Sequence, residues 1–220
     1  HSQLEIATER YVIWKYYPCT LCPKDSERVA GLYAYDWDTQ SELIIMQANH
    51  AQWYPHIDGA WVVYGVFQSL DGFLFDLRLH NLERGEHILL DTNAYIPRSS
   101  IHPEEMYAIH HTSVAWVAFE NGRGKVIRIY DRVTGSTTTV DIPGMKNPIN
   151  IRVSGDIVIW KELVGAWSGY DRTLEQRFAL NFHPPGWEDV PRQYAEPVTL
   201  AHDQLSWAWE VCGTVYRFTA

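Results

Sequence analysis

Short apolar runs that end in an aromatic ring recur along the chain. They are Tyr11-Val12-Ile13-Trp14, Trp61-Val62-Val63-Tyr64, Ser113-Val114-Ala115-Trp116, Ile157-Val158-Ile159-Trp160 and Gln204-Leu205-Ser206-Trp207. Their final residues are spaced by 50, 52, 44 and 47 positions. A period of about 40–50 residues is that of propeller blades. Before each anchor runs an extended segment, as in Pro55–Gly59, Pro148–Asp156 and Pro197–Asp203. After it comes a strand that enters a turn, clearest in Val126-Ile127-Arg128-Ile129-Tyr130-Asp131-Arg132-Val133-Thr134-Gly135. Gly31–Thr39 and Leu77–Gly85 are its relatives, and a last strand follows at Glu42–Met46, Glu86–Leu90 and Ser136–Val140. In Val126–Tyr130 the pattern has period two: Val126, Arg128 and Tyr130 face one way, Ile127 and Ile129 the other. No segment keeps a 3.6-residue apolar period.

Each unit therefore reads as four short strands joined by Gly, Asp and Asn turns. One such sheet cannot bury both faces, and radial stacking of several does so while leaving short edges. The expected fold is all-β: a β-propeller of about five four-stranded blades, the last incomplete, within a single domain spanning 1–220. The blades fall at approximately 2–47, 52–91, 105–141, 148–182 and 197–220. A β-sandwich needs no constant period, and a solenoid uses shorter coils. A ring closed at five units competes with a segment of a larger propeller. The start at His1 reads as a processed or excised form.

The pattern of Pro, then Ile-x-Gly-Asp, two apolar residues and Trp, then Ile-x-x-Tyr-Asp-x-x-Thr-Gly resembles the TolB-like β-propeller repeats of bacterial envelope and secreted proteins. The third unit matches best. The first and fifth match at the anchor, and the fourth is interrupted after Trp160. The resemblance is architectural. It implies an extracellular or cell-envelope setting and covers binding propellers, propellers attached to hydrolase domains and sugar-acid lyases, so it does not fix function.

Composition narrows the classes further. Eighteen Lys and Arg against 27 Asp and Glu give a formal charge of −9. With no basic run, nucleic acid is not the expected partner. The longest apolar stretch, near Gly59–Phe67, is far below the roughly 18 residues of a membrane helix, so no membrane insertion is expected. Ten Trp and 13 Tyr are the unusual feature.

Tyr16–Ala30, Leu163–Leu174 and His183–Glu196 do not fit the repeat and read as long loops, where ligand contacts concentrate. Trp167 and Tyr170, Trp187 and Tyr194 lie in them, and Trp53 and Tyr54 lie at a blade entrance. Trp53, Tyr54, Trp167, Tyr170 and Trp187 are the candidate ligand-binding residues, because such rings stack on sugars or anchor proteins. The competing reading is that they pack over the blades.

His111 and His202 share a register, each five residues before its anchor ring, while His56 does not. A metal on a channel axis would use such histidines. Glu9, Gly59 and Gly155 occupy the other equivalent places, so the set is incomplete and polar lining is the stronger reading; no cofactor is expected. Asp36, Asp38 and Glu42 lack a calcium-loop spacing and read as a turn.

Cys19, Cys22 and Cys212 lack haem, thioredoxin and zinc contexts and are disulfide candidates. Cys19 and Cys212 each follow their anchor ring by five residues, which places Cys212 near the Cys19/Cys22 pair in a ring closed at five; a local Cys19–Cys22 bond, or none, stays open. Gly165-Ala166-Trp167-Ser168-Gly169 has its serine one place too late for a nucleophile elbow. The expected function is a non-catalytic module that binds a protein or glycan, or a structural subunit of a larger assembly. The alternative is a polysaccharide lyase or glycosidase on a propeller scaffold.

Overall fold

A computed structural model of the chain describes residues 2–17, 29–47, 52–67, 74–95, 106–120, 124–142, 148–162, 167–180, 195–201, 204–211 and 214–219, the last three segments by their backbone alone. Two compact units emerge, His1–Glu104 and Glu105–Ala220.

In the first unit, β1 (Ser2–Ala7), β2 (Tyr11–Tyr16), β3 (Gly31–Asp36) and β4 (Ser41–Gln47) form an antiparallel meander. A second meander joins β5 (Gln52–Asp58), β6 (Trp61–Phe67), β7 (Leu74–Asn81) and β8 (Glu86–Tyr95). The second unit repeats the plan with β9 (Tyr107–His110), β10 (Ser113–Glu120), β11 (Gly124–Asp131) and β12 (Thr137–Asp141). Then come β13 (Pro148–Ser154), β14 (Ile157–Glu162), β15 (Trp167–Asp171) and β16 (Gln176–Leu180). A three-stranded meander follows: β17 (Ala195–Ala201), β18 (Gln204–Val211) and β19 (Thr214–Thr219).

Every anchor is a second strand. The register is the same in four meanders: Tyr11 pairs with Asp36, Trp61 with Asn81, Ser113 with Asp131 and Ile157 with Asp171. Trp14, Tyr64, Trp116 and Trp160 thus hold one structural position. Tyr64, Trp116 and Trp160 are fully buried, and burial pushes the Tyr64 hydroxyl up to about 12. Trp14 is half-buried and stacks on Tyr33 with centroids 6.0 Å apart.

Strands covered on both faces read as unbroken apolar runs rather than alternating ones. β10 is such a strand, buried from Ser113 to Ala118. In the first unit the core joins Tyr11, Ile13, Leu32, Ala34 and Ile45 of one meander to Val62, Tyr64, Val66 and Leu82 of the next. Odd positions of β2 therefore meet even positions of β6. First strands lie side by side within each unit, β1 beside β5, β9 beside β13 and β13 beside β17. β1, β5, β13 and β17 each carry a register irregularity that adds local twist.

The reading of Leu163–Leu174 as a loop is corrected. Trp167–Asp171 is β15, the third strand of its meander. Its pattern was hidden by Ser168 and Gly169, which stand where the other third strands carry larger residues. Phe178 fills the space above Gly169, where a Cβ would collide with its ring.

Candidate functional site

The site is built from the turns that join third and fourth strands. Each begins with Asp or Asn, whose side-chain oxygen accepts from the backbone ahead and fixes the turn. Asp36 Oδ1 accepts from Asp38 N at 2.9 Å, and Asn81 Oδ1 from Glu83 N at 3.0 Å and Arg84 N at 2.9 Å. Asp131 Oδ1 accepts from Val133 N at 2.8 Å and Thr134 N at 2.9 Å, and Asp171 Oδ1 from Leu174 N at 3.0 Å. Four residues on, the chain takes a positive φ at Gln40 (53°), Gly85 (64°), Gly135 (69°) and Glu175 (51°). The residue after each Asp or Asn donates its N–H to the turn between the first and second strands. The pairs are Trp37 to Arg10 O, Leu82 to Ala60 O, Arg132 to Thr112 O and Arg172 to Asp156 O, at 2.7–2.9 Å. In each of these four meanders the two turns are thereby tied together.

Arginines brace these ends. Arg172 donates to the Asp131 carboxylate and the Ser113 hydroxyl of the preceding meander, and to Asp156 Oδ1 at 3.4 Å. Ser113 Oγ donates to Gly155 O at 3.3 Å, and Gly155 N donates to His110 Nδ1 at 3.2 Å. Burial pushes the Asp131 carboxyl up, but the N–H groups of Thr134 and Val133 and the Arg172 guanidinium together hold it at about 2. In the first unit Arg10 reaches Asp36 at 3.0 Å, Asp38 at 3.1 Å and Glu83 of the next meander at 2.5 Å. The Arg10 hydrogen bond holds Asp36 at about 2.

Three of these turns carry an exposed apolar residue: Trp37 at 56% in the first unit, and Val133 at 77% and Leu174 at 63% in the second. Trp37 meets Tyr35 edge to face, 4.9 Å between centroids. Val133 and Leu174 stand on adjacent turns of the second unit, the two that the Arg172–Asp131 pair joins. A rigid frame carrying two exposed aliphatic tips offers apolar contact at little ordering cost.

The sequence candidates fall elsewhere. Trp167 and Tyr170 are buried in β15, which corrects their reading as exposed loop aromatics: three residues apart they point to opposite faces of a strand that is covered on both, which leaves the rings little surface to offer. Trp53 lies in β5, its side chain outside the described residues. Tyr54 is half-buried at the β5 irregularity, with Lys15 Nζ 4.3 Å from its ring centroid. Lys15 also pairs with Glu5 at 3.2 Å, both side chains buried. His111 is corrected from a channel-lining strand position to the exposed β9–β10 turn, where φ is 47°. A two-residue hairpin leaves it at the blade end, its ring 4.1 Å from that of His110. Trp187, His202, Cys19, Cys22 and Cys212 lie outside the described residues. Among the described residues no three His, Cys, Asp or Glu side chains cluster as metal ligands.

Sequence reasoning treated the turns as structural punctuation and so passed over Val133, Leu174 and Trp37. The available signal was an apolar residue inside an Asp-initiated turn, where polar residues are usual. A second histidine pair was also missed. His80 is buried and stacks on its cross-strand partner, exposed His87, at 4.0 Å, and burial and that neighbour push its imidazole down to about 4.

The sequence matches no known family model and no curated protein. Its fold does have solved counterparts. The computationally designed Ika8 protein is similar over 98% of this chain and 60% of its own, at 12% identity and a TM-score of 0.59. TolB from Acinetobacter baumannii is similar over 86% of this chain and 46% of its own, at 15% identity and a TM-score of 0.51. A prolyl endopeptidase is similar over 99% of this chain and 32% of its own, at 11% identity and a TM-score of 0.63. The chain thus spans less than two thirds of each of these three structures. At such identities the likeness concerns fold alone, and with the meander architecture it makes this an all-β protein of the β-propeller class.

Proposed function

We propose that this protein is a non-catalytic propeller of the TolB-like repeat type that binds a protein partner through the turn-bearing end of its second unit. The setting is the cell envelope or the extracellular space. The observation that carries this reading is the pair of exposed aliphatic tips, Val133 and Leu174, on turns braced by Arg172 and Asp131. Exposed apolar residues on rigid turns suit the centre of a protein contact, where desolvated side chains supply most of the affinity. The charged groups around them already serve as braces for one another, which favours binding over acid–base chemistry.

The test places a photo-crosslinking residue at Val133 in cells that produce the protein. A discrete crosslinked partner is expected, lost in the Leu174→Asp variant while the thermal transition stays within a few degrees of wild type. Crosslinks that persist in Leu174→Asp, or cleavage of acidic polysaccharides by the purified protein, would sink the reading.

A further inference from the structure

Within the second unit, the β9–β10 hairpin holds one residue of the following meander by both of its backbone groups. That residue is Gly155, in the turn between β13 and β14. Its N–H donates to His110 Nδ1 at 3.2 Å, and its C=O accepts from Ser113 Oγ at 3.3 Å. His110 and Ser113 are cross-strand partners, the last pair before the His111-Thr112 turn. Ser113 is fully buried, and its hydroxyl also accepts from Arg172 of the β15–β16 turn. Arg172 in turn donates to the Asp131 carboxylate. One chain of hydrogen bonds therefore runs from His110 through Gly155, Ser113 and Arg172 to Asp131.

A backbone N–H can only donate, so the Gly155 bond requires a lone pair on Nδ1. A neutral ring with its proton on Nε2 has one. Imidazolium does not, and would turn a second N–H towards that of Gly155. Thr8, Asp58 and Ser154 hold the same last-pair position in the β1–β2, β5–β6 and β13–β14 hairpins. Thr8 Oγ1 accepts from Tyr11 N at 2.9 Å, a bond indifferent to pH. Of these four side chains only imidazole changes charge between about pH 5 and 8. The charged groups on the elements packed around His110 are Arg152 of β13, Asp156 beside Gly155, Arg172 and Asp131, and the His111 ring lies 4.1 Å away. Arg152 donates to Ile151 O at 3.1 Å, and Arg172 engages both Asp131 and Asp156. Glu120, Lys161 and Glu162 stand at the opposite ends of β10 and β14.

We propose that His110 is an acid-operated latch: on protonation it releases the Gly155 N–H and loosens the joint between the third and fourth meanders. The latch is closed while the ring is neutral and opens as it charges. It is independent of the binding role given to Val133 and Leu174.

The test reads the bond itself. Nitrogen-15 spectra of the histidine rings at about pH 8 should show the His110 proton on Nε2. Native-state hydrogen exchange of the Gly155 amide, corrected for the intrinsic rate, should lose about tenfold in protection between about pH 8 and about pH 5. Core amides of β10 should stay protected throughout, which reports that the protein is folded. His110→Asn supplies an acceptor oxygen that does not titrate, so Gly155 protection should then be constant over the same range. His111→Ala and His80→Leu should keep the wild-type response, which separates the latch from the neighbouring ring and from the acid sensitivity of His80. Three results overturn the proposal: a proton on Nδ1 at the higher pH, Gly155 protection that does not change with pH in the wild type, or a loss that persists in His110→Asn.

Discussion

An indole at the fourth place of a second strand is worth most where both faces of its sheet are covered. Trp116 and Trp160 are fully buried, whereas Trp14 at the same place is half-buried. Replacing either buried ring by Ala should cost about 3–5 kcal/mol, by lost transfer energy and the cavity left behind. Trp14→Ala should cost clearly less, and denaturant titration of the three variants would show equal losses if the burial difference were unimportant. His80 makes a second claim at this scale. Its folded-state value of about 4 lies below the ordinary imidazole value of 6.5, so below pH 6.5 the unfolded chain binds the proton first. Stability contributed by the neutral ring is therefore fully present above pH 6.5 and falls away as pH drops towards 4. The loss is up to about 3 kcal/mol. His80→Leu should flatten this part of the pH profile in urea unfolding; an unchanged slope between pH 6.5 and 4 would refute the assignment.

Turns are the element that repeats most faithfully. Gln40 and Glu175 adopt the left-handed conformation that Gly85 and Gly135 hold in the equivalent places. Side chains there strain the backbone, whereas glycine does not. Gln40→Gly and Glu175→Gly should each stabilise the protein by about 0.5–1 kcal/mol, and Gly135→Ala should destabilise it by about 1 kcal/mol, read as shifts in the denaturant midpoint. A destabilised Glu175→Gly would show that its side chain contributes more than the strain costs. Gly169 is constrained by space rather than by φ. Gly169→Ala should cost about 1–3 kcal/mol through collision with the Phe178 ring. The turns and most strands were legible in the sequence because Asp, Asn and Gly act locally. β15 was not, because Gly169 is admitted to the strand by the Phe178 ring of the neighbouring strand, a partner that no local pattern displays.

Across each unit, arginine clasps hold successive meanders. Arg172 ties the β15–β16 turn to Asp131 and Ser113, and Arg10 ties the β1–β2 turn to Glu83. Arg172→Ala should cost about 1.5–3 kcal/mol, since it removes charge-assisted bonds to a carboxylate that is largely buried. Asp131 is held at about 2, below the ordinary carboxyl value of 3.8, so its contribution is present above pH 3.8 and is lost as pH falls towards 2. In Arg172→Ala that acid-labile contribution should shrink without vanishing, because the N–H groups of Thr134 and Val133 remain. Acid unfolding of wild type and variant along identical curves would argue against the clasp.

By itself the sequence determined the all-β class, the four-stranded repeat and the identity of the second strands. Those properties follow from the period of apolar residues and from turn residues that act within a few positions. Tertiary structure alone decided which equivalent residues are buried, which arginine meets which carboxylate, and which turns present apolar tips. The fourth-place rings of β2, β6, β10 and β14 are alike on the page of the sequence. Trp14 differs from Trp116 only in what covers it, and Val133 differs from Val126 only in standing on a turn rather than within a packed strand. Burial is a property of the neighbours a side chain acquires from distant parts of the chain, and a local pattern carries no record of them.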